Sequence, residues 1–154
     1  MLRLSKLTDY AVVVLVRLAE SATLQGVQTS PGISLATGVP EPTVAKVLKA
    51  LAAADMVTSQ RGPRGGYRLR LPLEAIAVAD VIAAIDGPIA LTACVDGGQG
   101  GCEVQNVCAV RGRWDLVNDA IHAALSSITL AEMREASVPA AFRVPAEFVL
   151  PAAE

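Results

Sequence analysis

Apolar residues nearly encircle the stretch from Leu4 to Ala22, a pattern that predicts a first helix at the centre of the core. Ser5 or Thr8 can cap it, and Asp9 falls in its first turn. After a connector from Gln25 to Thr29, Ser30-Pro31 opens a second helix, with Ser30 as cap and Pro31 at the first helical position. Gly38 ends it, and Val39-Pro40 prevents its continuation. A third helix starts at Glu41-Pro42-Thr43 and runs to about Ala54. Val44, Val47, Leu48 and Leu51 recur at helical spacing, which leaves Thr43, Lys46 and Lys49 on other faces. Two short helices joined by a glycine-containing turn, the second with exposed lysines, form a helix-turn-helix candidate.

The pattern then shortens. Met56 to Gln60, the turn RGPRGG and Tyr67 to Leu71 read as strand, turn and strand, a wing with Arg61 and Arg64 at its tip. Pro72 ends the second strand, and Val78 to Asp86 forms a short helix closed by Gly87-Pro88. From Arg113 or Trp114 to about Glu135 the helical period returns as one long element. Its stripe holds Trp114, Val117, Ile121, Ala124, Leu125 and Ile128, extended by Leu130 and Met133. Lying outside the winged unit, such a stripe is most simply buried against a second copy. The predicted fold is mainly α: a winged helix-turn-helix with a two-stranded wing and a long C-terminal dimerisation helix. Residues 1–72 would form the DNA-binding domain, and 73–112 a short helix with a cysteine-bearing loop. Residues 113–136 would be the dimerisation helix and 137–154 an Ala/Pro-rich, loosely ordered tail.

Composition sharpens this picture. The chain is 53% hydrophobic but only 3% aromatic, which favours helices packed by aliphatic side chains. The longest apolar run, Ala11 to Val16, is too short to span a membrane, and the N-terminus lacks a signal peptide's layout, so a cytoplasmic protein is expected. The net charge of -2 averages two unlike parts. Residues 1–70 carry nine Lys/Arg against four acids, or +5, whereas the remainder carries four against eleven, or -7. A basic N-terminal part suits a phosphate backbone, and an acidic remainder would be kept off it.

The chemistry gathers in CVDGGQGGCEVQNVC, which holds all three cysteines, Cys94, Cys102 and Cys108, together with Asp96 and Glu103. Three thiols cannot pair off without a remainder, and in a reducing compartment such a cluster points to a soft metal or to redox chemistry. The alternative is three unrelated small core residues, although so glycine-rich a loop offers little core. The gaps of seven and five residues contain no CxxC pair, which argues against a thiol-redox enzyme and fits a larger inorganic core better than a closed zinc site. No catalytic residues are evident. His122, the sole histidine, reads as a half-exposed helical residue, and Trp114 as a core or interface anchor. A zinc-stabilised or thiol-based redox-sensing DNA-binding protein stays open, as does a small iron–sulfur electron carrier that would have no use for the basic wing.

Three segments carry a resemblance: MLRLSKLTDYAVVVLVRLA, TGVPEPTVAKVLKALAAADMVTSQRGPRGGYRLR, and IDGPIALTAC followed by two further cysteines. In this order they resemble the Rrf-type winged-helix regulators, the IscR- and NsrR-like iron–sulfur transcription factors, and most nearly the regulator of SUF-system cluster assembly. The resemblance implies a homodimer that binds operator DNA, probing the major groove with the 41–54 helix and anchoring the RGPRGGY wing. It also implies an iron–sulfur cluster, 2Fe–2S in preference to 4Fe–4S, held by Cys94, Cys102 and Cys108, and repression of cluster-assembly genes. Two departures stand out. The first cysteine gap is longer than in IscR-like members, and Arg111 occupies the place of their ligating histidine. Arginine keeps its proton and cannot ligate iron. NsrR-like members use an aspartate of the partner's first helix, and Asp9 stands at the matching place, with Glu103 or Asp96 behind it. An acid in a first turn is also what the helix dipole favours.

Overall fold

The computed structural model describes residues 3–20, 26–95, 102–103 and 106–136. The predicted tail, 137–154, and Asp96 lie outside the described residues. Helix α1 (Lys6–Glu20) lies at the centre, packed against α2 (Ser30–Thr37), α3 (Glu41–Ala53) and α4 (Val78–Asp86). Its buried residues Thr8, Ala11, Val14, Leu15 and Leu18 follow the three-and-four spacing of one face. Val12 and Val16 are half-buried, and Val13 is exposed, so the apolar girdle serves one core face and a flanking groove.

The cap of α2 is Thr29 and not Ser30: its Oγ1 accepts the Gly32 N–H at 3.2 Å, and Pro31 becomes the second helical residue. Gly38, with φ 73°, closes the helix by donating its N–H to the Ser34 carbonyl at 2.9 Å. Helix α3 buries Val44, Val47, Leu48 and Leu51, as its spacing predicts. A turn through Asp55, the only described non-glycine residue with positive φ (58°), leads into β1 (Val57–Gln60). Strand β2 (Gly66–Leu69) pairs with it antiparallel, Val57 opposite Leu69 and Gln60 opposite Gly66. A 3₁₀ turn, Leu73–Ala75, follows Pro72 and delivers the chain to α4.

The C-terminal part departs from expectation. The apolar period predicts one helix through residue 135, but the chain forms α5 (Trp114–Ser126) and α6 (Leu130–Glu135) with a break between them. Backbone pairing explains the break. The Ile128 carbonyl accepts the Val78 N–H, and the Ile76 carbonyl accepts the Leu130 N–H, both at 2.9 Å, which bridges Ala77 to Thr129. In one continuous helix these groups would be bonded along the helix instead. Thr129 then caps α6: its Oγ1 accepts the Glu132 N–H at 3.2 Å, and the Glu132 carboxylate accepts the Thr129 N–H at 2.8 Å. Leu130 and Ala131 are buried, at 0% and 5% exposure, so the stripe at Leu130 belongs to the core of the same chain, whereas Met133 is 45% exposed.

Candidate DNA-reading face and cysteine segment

Because α3 spends its apolar residues on the core, its polar residues face outward. Lys46 and Lys49 are exposed and Thr43 is half-buried, and their three-residue spacing sets them along one side of the helix. Arg61 and Arg64 are exposed at the wing tip, and Arg68 on β2 is exposed as well. Arg70 is engaged with the Asp55 carboxylate in an exposed ion pair across the base of the wing.

Two glycines shape the wing tip for steric reasons. A Cβ on Gly65 would lie 2.4 Å from the Gln60 carbonyl oxygen, and one on Gly66 2.5 Å from that of Gln28. Gln28 runs along the outer side of β2, exchanging backbone hydrogen bonds with Tyr67 at 2.9 and 2.8 Å. Its side-chain amide donates to the Arg17 carbonyl at 3.0 Å, joining the wing to α1. Composition gave no sign of Gln28; the second glycine of GGY was the available signal, since a strand glycine marks a close backbone approach.

The cysteine segment begins where α4 ends. Gly87 (φ 91°) turns the chain away, and the following residues are held by Asn118, the buried residue of α5. Its Nδ2 donates to the Ile89 carbonyl at 3.1 Å, and its Oδ1 accepts the Leu91 N–H at 3.0 Å. A turn then runs from Thr92 to Val95, closed by a Val95 N–H to Thr92 carbonyl bond of 3.4 Å, and Val95 is buried. Within it the Thr92 hydroxyl lies 3.2 Å from the Cys94 Sγ. Cys94, Cys102 and Cys108 are all free thiols and all partly exposed. As a donor set, three accessible, unpaired thiols suit a soft metal or an iron–sulfur core. Among the described residues no three His, Cys, Asp or Glu side chains are gathered into a ready-made site. Binding would therefore have to draw the segment together, as metal sites in pliable chain commonly do.

Asp9 is exposed in the first turn of α1 and lines an open cleft of about 420 Å³ with Arg3, Lys6 and Met133; none of the cysteines lines that cleft. Glu103 and Arg111 are exposed. On α5, Trp114 and Val117 are 41% and 43% exposed, Ile121 and Leu125 half-buried, and Leu116 fully 78% exposed. Ile128, expected on the same helical stripe, sits in the break and is 44% exposed.

A winged helix with a basic reading helix and a basic wing tip defines the class of helix-turn-helix transcription regulators. Residues 4–136 match the family described as Rrf2, iron-dependent transcriptional regulator, and the chain belongs to that family. It is 31% identical over 132 residues to the HTH-type transcriptional regulator IscR of Escherichia coli, covering 86% of this chain and 80% of that one. Among solved structures it is similar to T. potens IscR, with a TM-score of 0.62 and 27% identity, covering 87% of each chain. It is similar too to CymR (YrzC), the global cysteine regulator of B. subtilis, with a TM-score of 0.64 and 27% identity over 86% of this chain and 96% of that one. No helix among the described residues is long and apolar enough to cross a membrane.

Proposed function

We propose that the chain is a homodimeric repressor of iron–sulfur cluster assembly genes that senses cluster status through Cys94, Cys102 and Cys108. The observation that carries this reading is the donor set: three free, partly exposed thiols on one short segment, in a chain 31% identical to IscR. When bound, a cluster would supply an iron centre that is labile to oxidation and to iron shortage, and 2Fe–2S is the form proposed. Asp9 of the second subunit is the proposed fourth ligand, since its cleft contains no cysteine of its own chain.

On DNA, Thr43, Lys46 and Lys49 would enter the major groove while Arg61 and Arg64 hold phosphates or the minor groove. The α5 face on which Trp114 and Val117 are exposed and Ile121 and Leu125 half-buried, continued by Ile128 just beyond the helix, would meet its symmetry mate. The ligands then belong to both the cysteine segment and α1, and α1 packs directly on α3, so drawing the ligands together would re-aim the reading helices.

A second reading rests on a specific observation: all three thiols are free and partly exposed. In that reading the thiols themselves, or a zinc ion they bind, are the sensor. Anaerobic purification followed by a visible spectrum and iron, sulfide and zinc analysis separates the two. Broad visible bands with matched iron and sulfide support the cluster. A colourless protein, zinc-loaded or metal-free after anaerobic reconstitution, overturns it.

A further inference from the structure

We infer that Thr92 is a positioning residue for the sulfur of Cys94, donating its hydroxyl to that sulfur whenever Cys94 is ligated. The inference rests on the soft-metal use of the cysteines proposed above, but not on which metal they hold. Its basis is the 3.2 Å contact between Thr92 Oγ1 and Cys94 Sγ. Either group can donate when both carry a proton. A metal-bound thiolate has no proton to give, so ligation leaves the hydroxyl as the only possible donor.

The surroundings explain why this contact holds between Gly87 and Val95, where the chain forms neither helix nor strand. Asn118 clamps the backbone at Ile89 and Leu91, immediately before Thr92. Val95, immediately after Cys94, is buried at 6% exposure, and the 92–95 turn joins the two anchors. Cys94 is thus held from both sides, and the hydroxyl sits at the one atom that reacts. Hydrogen bonds to metal-bound sulfur orient the ligand and draw charge from it, which stabilises the more electron-rich state of the centre. Cys94 is therefore the ligand whose position is already set, with Thr92 setting the electron density at its sulfur.

The test uses the full-length protein, reduced and freed of metal, titrated with Co²⁺ and followed by sulfur-to-cobalt charge-transfer absorbance. Thr92→Val keeps the shape of the side chain and removes the hydroxyl; Thr92→Ser keeps the hydroxyl. The Val variant is expected to bind Co²⁺ about tenfold more weakly, the usual order when the partner behind a ligand is removed. Its charge-transfer band should move to lower energy, because the sulfur electrons are no longer held by a donor. The Ser variant should match the parent in both readouts. Equal affinity and equal band energy for Thr and Val overturn the inference, and equal defects in Val and Ser reduce Thr92 to packing and overturn it too. Should the Val defect appear while the protein purified anaerobically carries no iron or sulfide, Thr92 keeps its role and the iron–sulfur reading falls. Should the parent protein bind no Co²⁺ through thiolate, the inference about Thr92 falls, and the iron–sulfur reading is decided by iron and sulfide content alone.

Discussion

The hydroxyl of Thr8 donates to the Asp86 carboxylate at 2.7 Å, joining the first turn of α1 to the last residue of α4. Thr8 is 1% exposed, and Asp86 also accepts the Ser5 N–H at 3.4 Å. This contact unites two ends that matter. Asp9 follows Thr8 directly, and the cysteine segment follows Asp86 through Gly87-Pro88. Displacement of the start of the cysteine segment is thereby linked to α1, which packs on α3.

Asp86→Ala should destabilise the protein by about 1–2 kcal/mol, because it removes the acceptor of a buried hydroxyl. The pH dependence is more diagnostic. Burial raises the Asp86 carboxyl, but hydrogen bonds from the Ser5 and Thr8 side chains and the Ser5 backbone outweigh it and hold the group below its ordinary 3.8. A depressed carboxyl adds stability above its unfolded value, and that stability is lost as pH falls through the folded value. Thermal melts of the parent and Asp86→Asn should therefore differ near neutral pH and converge below about pH 4. Parallel curves throughout would mean that the carboxylate's charge contributes nothing.

Thr129→Ala should cost about 1 kcal/mol by removing the cap of α6. Glu132 completes the same box: the Thr129 backbone bond, then its hydroxyl, hold the Glu132 carboxyl below its ordinary 4.5, against weak desolvation. Its contribution is likewise present above that value and fades as pH falls through the folded one. Amide exchange should quicken across 130–135 in the variant and leave α5 unchanged. Faster exchange through α5 as well would show that the two helices form one unit after all.

Much of this architecture is legible in the chain because the cues are local. Gly38 and Gly87 end helices where residue chemistry says they should, and Val44, Val47, Leu48 and Leu51 declare the buried face of α3, whereas β2 stops at Leu69, short of the Leu71 expected from Pro72. The break at 127–129 was carried by a local cue too: Thr129 and Glu132 stand at capping-box spacing. The apolar stripe masked it, since Leu125, Ile128 and Leu130 read the same whether they face a partner or the chain's own core. The contacts around the cysteine segment were not legible at all. Asn118 reaches Ile89 and Leu91 across 29 and 27 positions, and Asp86 reaches Thr8 across 78, distances at which only the folded topology decides who meets whom.

Gly66→Ala should destabilise the wing by more than about 1 kcal/mol. Its φ of 156° disfavours a side chain, and the added Cβ would strike the Gln28 carbonyl oxygen, a backbone atom that cannot swing aside. The measurement is amide exchange at Gln28 and Tyr67, which should lose protection together. Gly62→Ala offers the contrast: its Cβ meets nothing within 4 Å, so only the cost of its φ of 109° applies, and the Gln28–Tyr67 bridge should stay closed. Equal protection in both variants would remove the steric account.

The proposed α5 interface predicts a clean separation of assembly from folding. Val117 is 43% exposed in the single chain, so Val117→Glu should leave the subunit's own packing intact. Buried against a symmetry mate, two unpaired carboxylates near a two-fold axis would be strongly unfavourable. Sedimentation should then shift from dimer to monomer with the far-ultraviolet circular dichroism unchanged. A variant that stays dimeric would move the interface elsewhere.

DNA affinity should respond to the basic residues in two different ways. Arg61 and Arg64 are exposed at the wing tip, and they are expected to hold phosphate. The double substitution to Ala should weaken binding to any duplex by similar factors and lower the slope of log affinity against log salt by about 0.9 for each phosphate left without its cation. Lys46 projects from a helix held by four buried residues, a frame rigid enough to aim a side chain at a base edge. Lys46→Ala should therefore reduce the preference for the operator over random duplex, by about 1–3 kcal/mol if it meets a base. Fluorescence anisotropy on both duplexes across a salt series separates the two effects. If Lys46→Ala weakens both duplexes equally and lowers the salt slope as the arginine variants do, the residue is a phosphate anchor and base reading passes to Thr43 or Lys49.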